Sequence, residues 1–133
     1  SNKIVLCDRF IDSTMAYQVY GKGINKNFIK LVHSFILDGI KPDFTFLLKV
    51  KIPKLIERLK KRKKMNRYDK FSKNFYITAQ KAFVKIANKD KSKYLVLDNS
   101  NDSNNIQNVI SNKFEELLKK WTPLKTLLKL LTH

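Results

Sequence analysis

Apolar positions recur along this chain with two different periods, and their alternation predicts a layered α/β domain. Ile4–Cys7 is short and wholly apolar, with β-branched residues and no alternation, and reads as a strand buried on both faces. Phe44–Val50 (FTFLLKV), which follows the Pro42-Asp43 turn, and Tyr94–Leu97 (YLVL) read the same way. Between them, residues 25–37 (NKNFIKLVHSFIL) place apolar side chains at 28, 29, 31, 32, 35, 36 and 37, which is helical spacing with a broad stripe. Asn25 or Asn27 suits the cap of that helix and Gly39 its end. Ile52-Pro53 opens a second helix with Leu55, Ile56 and Leu59 inward. A third runs over 71–88, with Phe75, Ala79, Ala82, Phe83 and Ile86 on one face, and a last one spans 106–118. Strands separated by such helices predict a parallel sheet with crossover helices on both faces. Three strands leave one side of that sheet short of partners, so exposed apolar surface and association are expected.

A length of 133 residues allows one domain with a real core, placed at residues 1–121, followed by an amphipathic Leu/Lys extension at 122–133. The single Cys7 lies in an apolar run, so there is no disulfide framework, and a reducing, cytoplasmic setting is expected. No apolar run approaches about 18 residues, which argues against stable membrane association. With one Cys and two His, no zinc-spacing cluster exists in the sequence.

The net charge of +17 changes the picture. Residues 49–73 hold 12 Lys or Arg against Glu57 and Asp69. Three readings compete: a nucleic-acid-binding module, a solvated face of a Lys-rich protein, and a phosphate-handling lid over about 58–70. The stretch 58–67 carries no interleaved aromatics, which counts against nucleic acid.

The chemistry concentrates where the first strand stops, at Asp8-Arg9. Ligands of open α/β sheets bind beyond the carboxyl ends of strands. An apolar strand ending in Asp is the pattern of a carboxylate that helps hold Mg²⁺ in P-loop nucleotide enzymes. Arg9 suits an anion, because a guanidinium grips phosphate oxygens with two parallel bonds. If Asp12 or Ser13 opens a helix, Thr14, Tyr17 and Gln18 fall at i, i+3 and i+4. That face offers hydroxyls, a ring and an amide, which together suit a base and a sugar.

DRFIDSTMAYQVYGKG resembles the DR-aromatic-x-x-S-x-x-A-Y-Q-x-x-G-[RK]-G signature of bacterial thymidylate kinases, and KPDFTFLL resembles their K-P-D-L-T-x-x-L segment. The resemblance covers about residues 3–121 and corresponds to roughly the last two thirds of a family member. It implies a P-loop nucleotide kinase-like fold and transfer of the γ-phosphate of ATP to dTMP, giving dTDP for dTTP synthesis. It implies Mg²⁺ held at Asp8 through water, and dTMP and ATP as substrates. A homodimer would form through the helix at 25–37. By the same resemblance Arg9 holds the dTMP phosphate, Thr14 and Gln18 read the thymine edge, Ser13 supports the turn and Tyr17 lies against the deoxyribose. Arg58, Arg62 and Arg67 fall on lid positions that meet the ATP phosphates, with Arg9, Arg62 and Arg67 as the catalytic cations. Three positions depart from the pattern: Lys49 stands where the family has Asp, Asn66 replaces an acid, and Lys60 offers a point charge where the lid has an arginine fork. None of the three glycines lies in a G-x-x-x-x-G-K-[ST] phosphate loop, so the sequence reads as part of such a kinase. The alternatives are an inactive fragment or a basic nucleic-acid-binding module.

Overall fold

The computed structural model describes residues 3–62, 71–101 and 104–121. The chain divides into two compact units, Ser1–Ser100 and Asn101–His133. The expected extension at 122–133 and the basic segment 63–70, with Arg67, lie outside the described residues.

The first unit is built around a parallel pair of strands. β1 (Thr45–Lys49) and β2 (Tyr94–Asp98) run in register, from Thr45 opposite Tyr94 to Lys49 opposite Asp98. Parallel neighbours need a long crossover. Here it contains α3 (Ile52–Lys60), with Pro53 in its first turn, and α4 (Lys73–Ala87). The Ser72 hydroxyl caps α4 by accepting from the Phe75 N–H at 3.2 Å. Phe75, Ala79 and Ala82 are buried at the predicted spacing.

Against α4 lies the segment after Asp8-Arg9. It forms a single α-turn, α1 (Ile11–Thr14), then widens into a π-helix over Met15–Gly21. Such wide turns are rare and tend to mark functional positions. The π-helix packs against α4, and its Ala16 is fully buried. Next comes α2 (Lys26–Leu37), where the Asn25 carboxamide accepts from the N–H groups of Asn27 (2.8 Å) and Phe28 (3.1 Å). Asp38 and Gly39 end it with φ of 42° and 78°.

One expectation is corrected. Ile4–Cys7 is not a strand: among the described residues the sheet has two strands, not three. A strand needs a neighbour to satisfy its backbone polar groups. This run has none, and Ile4, Val5 and Leu6 are 55%, 83% and 84% exposed. The expected exposed apolar surface is therefore present, and α2 also exposes large apolar side chains.

The second unit contains α5 (Asn104–Trp121), whose Lys113 and Glu116 side chains pair at 2.7 Å. Among the described residues no helix is long and apolar enough to cross a membrane.

Candidate functional site

Asp8 and Arg9 form an exposed bend just before α1. Arg9 has φ of +64°, the left-handed region that non-glycine residues rarely occupy. Residues in such conformations cost on the order of 1–3 kcal/mol and gather at ligand sites. The Cys7 thiol donates to the Arg9 carbonyl at 3.4 Å across this bend. The Arg9 guanidinium carbon sits 5.6 Å from the centre of the Tyr17 ring, a cation–π contact. That ring is itself fixed. It stacks on Phe75 at 5.8 Å and meets Phe83 edge-on at 5.6 Å.

The structure thus joins Arg9, Tyr17 and the aromatic face of α4 into one layer. The widening at Met15 alters the expected face. With more residues in each turn, Tyr17 turns onto α4 instead of simply sharing a stripe with Thr14 and Gln18. Ser13 closes the bend through its N–H to the Phe10 carbonyl at 3.0 Å. The side chains of Thr14 and Gln18 are half-buried and make no hydrogen bond to any other described residue. Their polar groups are therefore available to a ligand. Asp8 likewise has no partner among the described residues, and no group of three His, Cys, Asp or Glu side chains converges there. A lone exposed carboxylate fits Mg²⁺ as one oxygen ligand, because Mg²⁺ keeps several waters and takes the rest from phosphates.

A second polar cluster lies at the carboxyl ends of the two strands. Asp98 accepts from the N–H (2.9 Å) and the hydroxyl of Ser100. The Ser100 hydroxyl in turn accepts from the Lys51 N–H at 2.9 Å, and the Asn99 N–H donates to the Lys49 carbonyl at 2.7 Å. These bonds, the Ser100 hydroxyl first, hold the Asp98 carboxyl below its usual range, with help from Lys49 and Lys51. Lys49, one of the departures from the family pattern, thus stands opposite an acid across the ladder. On α3, the Arg58 guanidinium donates to the Asn99 carbonyl at 3.0 Å, which ties the expected lid to this loop. Arg62 is exposed just beyond α3.

An open concavity of about 400 Å³ lies between the end of the π-helix and the start of α4. It is lined by Tyr20, Gly21, Lys22, Phe71, Asn74 and Thr78 among others, and contains none of the residues expected from sequence.

One contact was not foreseeable. The Tyr94 hydroxyl donates to Asp12 Oδ2 at 2.8 Å. Burial, and then the adjacent carboxylate, push the Tyr94 phenol up to about 12. The two residues lie 82 positions apart, and nothing in either local pattern signals the pairing.

A family model described as thymidylate kinase matches residues 1–110. The chain belongs to the thymidylate kinase family. It is 38% identical over 122 residues to a thymidylate kinase of Onion yellows phytoplasma, covering 89% of this chain and 58% of that relative. It is 33% identical over 113 residues to one from a Sulfurihydrogenibium species, covering 85% of this chain and 54% of that protein. Among solved structures, the thymidylate kinase of Ehrlichia chaffeensis superposes with a TM-score of 0.56 at 30% identity, over 87% of this chain and 51% of that one. The chain thus spans a little over half the length of the thymidylate kinases it matches. The fold is the α/β, P-loop kinase-like one: a parallel sheet flanked by helices.

Proposed function

We propose that this chain is the dTMP-reading part of a thymidylate kinase, which transfers the γ-phosphate of ATP to dTMP and releases dTDP and ADP. The observation that carries this reading is Arg9: an exposed guanidinium, on a strained left-handed backbone, held against Tyr17 of the helical segment that also carries the unengaged polar groups of Thr14 and Gln18. Strain of that kind persists where a side chain must be aimed.

In the reaction an oxygen of the dTMP phosphate attacks the γ-phosphorus, and the bond to the β–γ bridging oxygen breaks. The attacking oxygen is already charged, so no side-chain base is required. Catalysis then consists of positioning and electrostatic stabilisation. Arg9 holds the dTMP phosphate in line. Thr14 and Gln18 hydrogen-bond the thymine edge, and Ser13 supports the bend. Tyr17, held rigid by Phe75 and Phe83, forms the wall against the deoxyribose and crowds a 2′-hydroxyl. Arg62 and Arg67 supply lid cations to the transferring group. Arg58 joins them, and its bond to Asn99 anchors the lid helix. When Mg²⁺ is bound it neutralises phosphate charge, and Asp8 is the residue that would hold it, through water. The exposed stripe of α2 suits a homodimer, and the compartment is the reducing cytoplasm.

Calorimetric titration with dTMP tests this reading, with an ATP-coupled assay on the same sample after its intact mass is measured. Saturable dTMP binding that is lost in Arg9→Ala is the expected result. Equal binding by wild type and Arg9→Ala would sink it.

A further inference from the structure

We propose that Asp12 and Tyr94 act as a positioning pair that sets the first turn of the substrate-reading helix; the inference rests on the dTMP-reading role given above. The turn needs such a support. α1 and the π-helix together run only from Ile11 to Gly21, and a helical segment of that length is marginal in water by itself. Its cap residue, Phe10, has φ of −137° and ψ of −147° and contributes no side-chain capping bond. The residue before it, Arg9, is left-handed. The far end of the segment is fixed independently: Ala16 is buried, Tyr17 is packed between rings of α4, and Gly21 lies against Phe75.

At the near end, Asp12 is the only side chain of α1 that makes a hydrogen bond to another described residue. Its partner is rigid. Tyr94 is the first residue of β2, held in the ladder opposite Thr45, and the Thr45 N–H donates to the preceding Lys93 carbonyl at 2.9 Å. A hydroxyl donating to a carboxylate is among the stronger hydrogen bonds. Asp12 also lies in the first turn, where a negative charge complements the helix dipole. Ser13 and Thr14 follow Asp12 directly, so the rotation of this turn about Asp12 decides where the Thr14 hydroxyl stands relative to Arg9 and Gln18. Neither Asp12 nor Tyr94 touches the substrate. Both act through Thr14.

The test uses the 133-residue chain and four variants: Tyr94→Phe, Asp12→Ala, Asp12→Asn and the Asp12→Ala/Tyr94→Phe double. Tyr94→Phe removes one oxygen and keeps the ring, whereas Asp12→Asn keeps an acceptor for the tyrosine. We expect Tyr94→Phe and Asp12→Ala each to weaken dTMP about tenfold, the scale of one lost hydrogen bond to a charged group. Asp12→Asn should restore most of the affinity, and the double variant should be no weaker than either single one, as for residues that act as a unit. Amide exchange of residues 13–18 should quicken in Tyr94→Phe while that of 75–87 stays unchanged. A variant that melts earlier yet keeps wild-type dTMP affinity and wild-type exchange at 13–18 would overturn the proposal, since the pair would then be only a brace. If the wild-type chain binds no dTMP, the functional reading fails by itself. Exchange at 13–18 then still decides whether the pair sets this turn.

Discussion

A Cβ placed on Gly21 would stand 2.5 Å from Cε2 of Phe75 and 3.1 Å from two further atoms of the same ring. The ring has little room to yield, because Phe71 stacks on it at 4.1 Å and Tyr17 at 5.8 Å. Gly21→Ala is therefore expected to destabilise the first unit by about 1–3 kcal/mol, the usual cost of overpacking. Urea unfolding followed by far-UV circular dichroism measures this. An unchanged midpoint would mean that the π-helix can shift away from α4 without cost.

Arg9 separates stability from binding. Its φ of +64° is one that glycine adopts freely. Arg9→Gly is expected to leave the melting temperature unchanged or raise it, while dTMP binding disappears. Arg9→Ala keeps the strain and loses both the charge and the cation–π contact, so it should melt earlier and also fail to bind. A scan of both variants with and without dTMP gives the comparison. If Arg9→Gly melted earlier than Arg9→Ala, the left-handed backbone would not be a source of strain.

Much of this was legible in the chain itself, for reasons that differ by element. α4 was visible because Phe75, Ala79 and Ala82 repeat at helical spacing and Ser72 sits where a cap belongs. The strands at 45–49 and 94–98 were visible as short apolar runs. Ile4–Cys7 has the same composition and yet enters no sheet, because pairing depends on a neighbour that composition does not encode. The site motif marks Asp8, Arg9, Thr14 and Gln18 as candidates on one short stretch. It is silent about the π-helix, whose Gly21 lies against Phe75, and about Tyr94, which meets Asp12 only through the fold.

Asp98 should give the stability an acid limb. Its carboxyl is held below the usual range, first by the Ser100 hydroxyl and then by the Ser100 N–H. A depressed folded value means that the carboxylate form favours the native state. That contribution is complete above the ordinary aspartate value of about 3.9 and fades as pH falls through the lower folded value. Asp98→Asn should therefore be less stable than wild type at neutral pH, and the gap should close on acidification below about pH 4. Urea midpoints from pH 7 to pH 2 would show this convergence, and a constant gap would assign the effect to packing.

On α2, the side chains of Phe28, Leu31 and Phe35 are 58%, 55% and 79% exposed and repeat at i, i+3 and i+7. Three large apolar groups in one stripe exceed the scattered exposure common on monomers. In a two-fold dimer each residue contributes twice, because the same patch meets itself. Burying one such side chain is worth about 1.5–3 kcal/mol. Replacing Leu31 and Phe35 by Gln therefore removes enough for association to weaken well beyond tenfold. Neither position is buried within the chain, so its circular dichroism should not change. Sedimentation equilibrium over a range of concentrations is the measurement: wild type should move from monomer to dimer, while Leu31→Gln/Phe35→Gln should remain monomeric. A wild-type chain that stays monomeric at high concentration would leave the stripe without a self-association role and remove the homodimer from the proposed function.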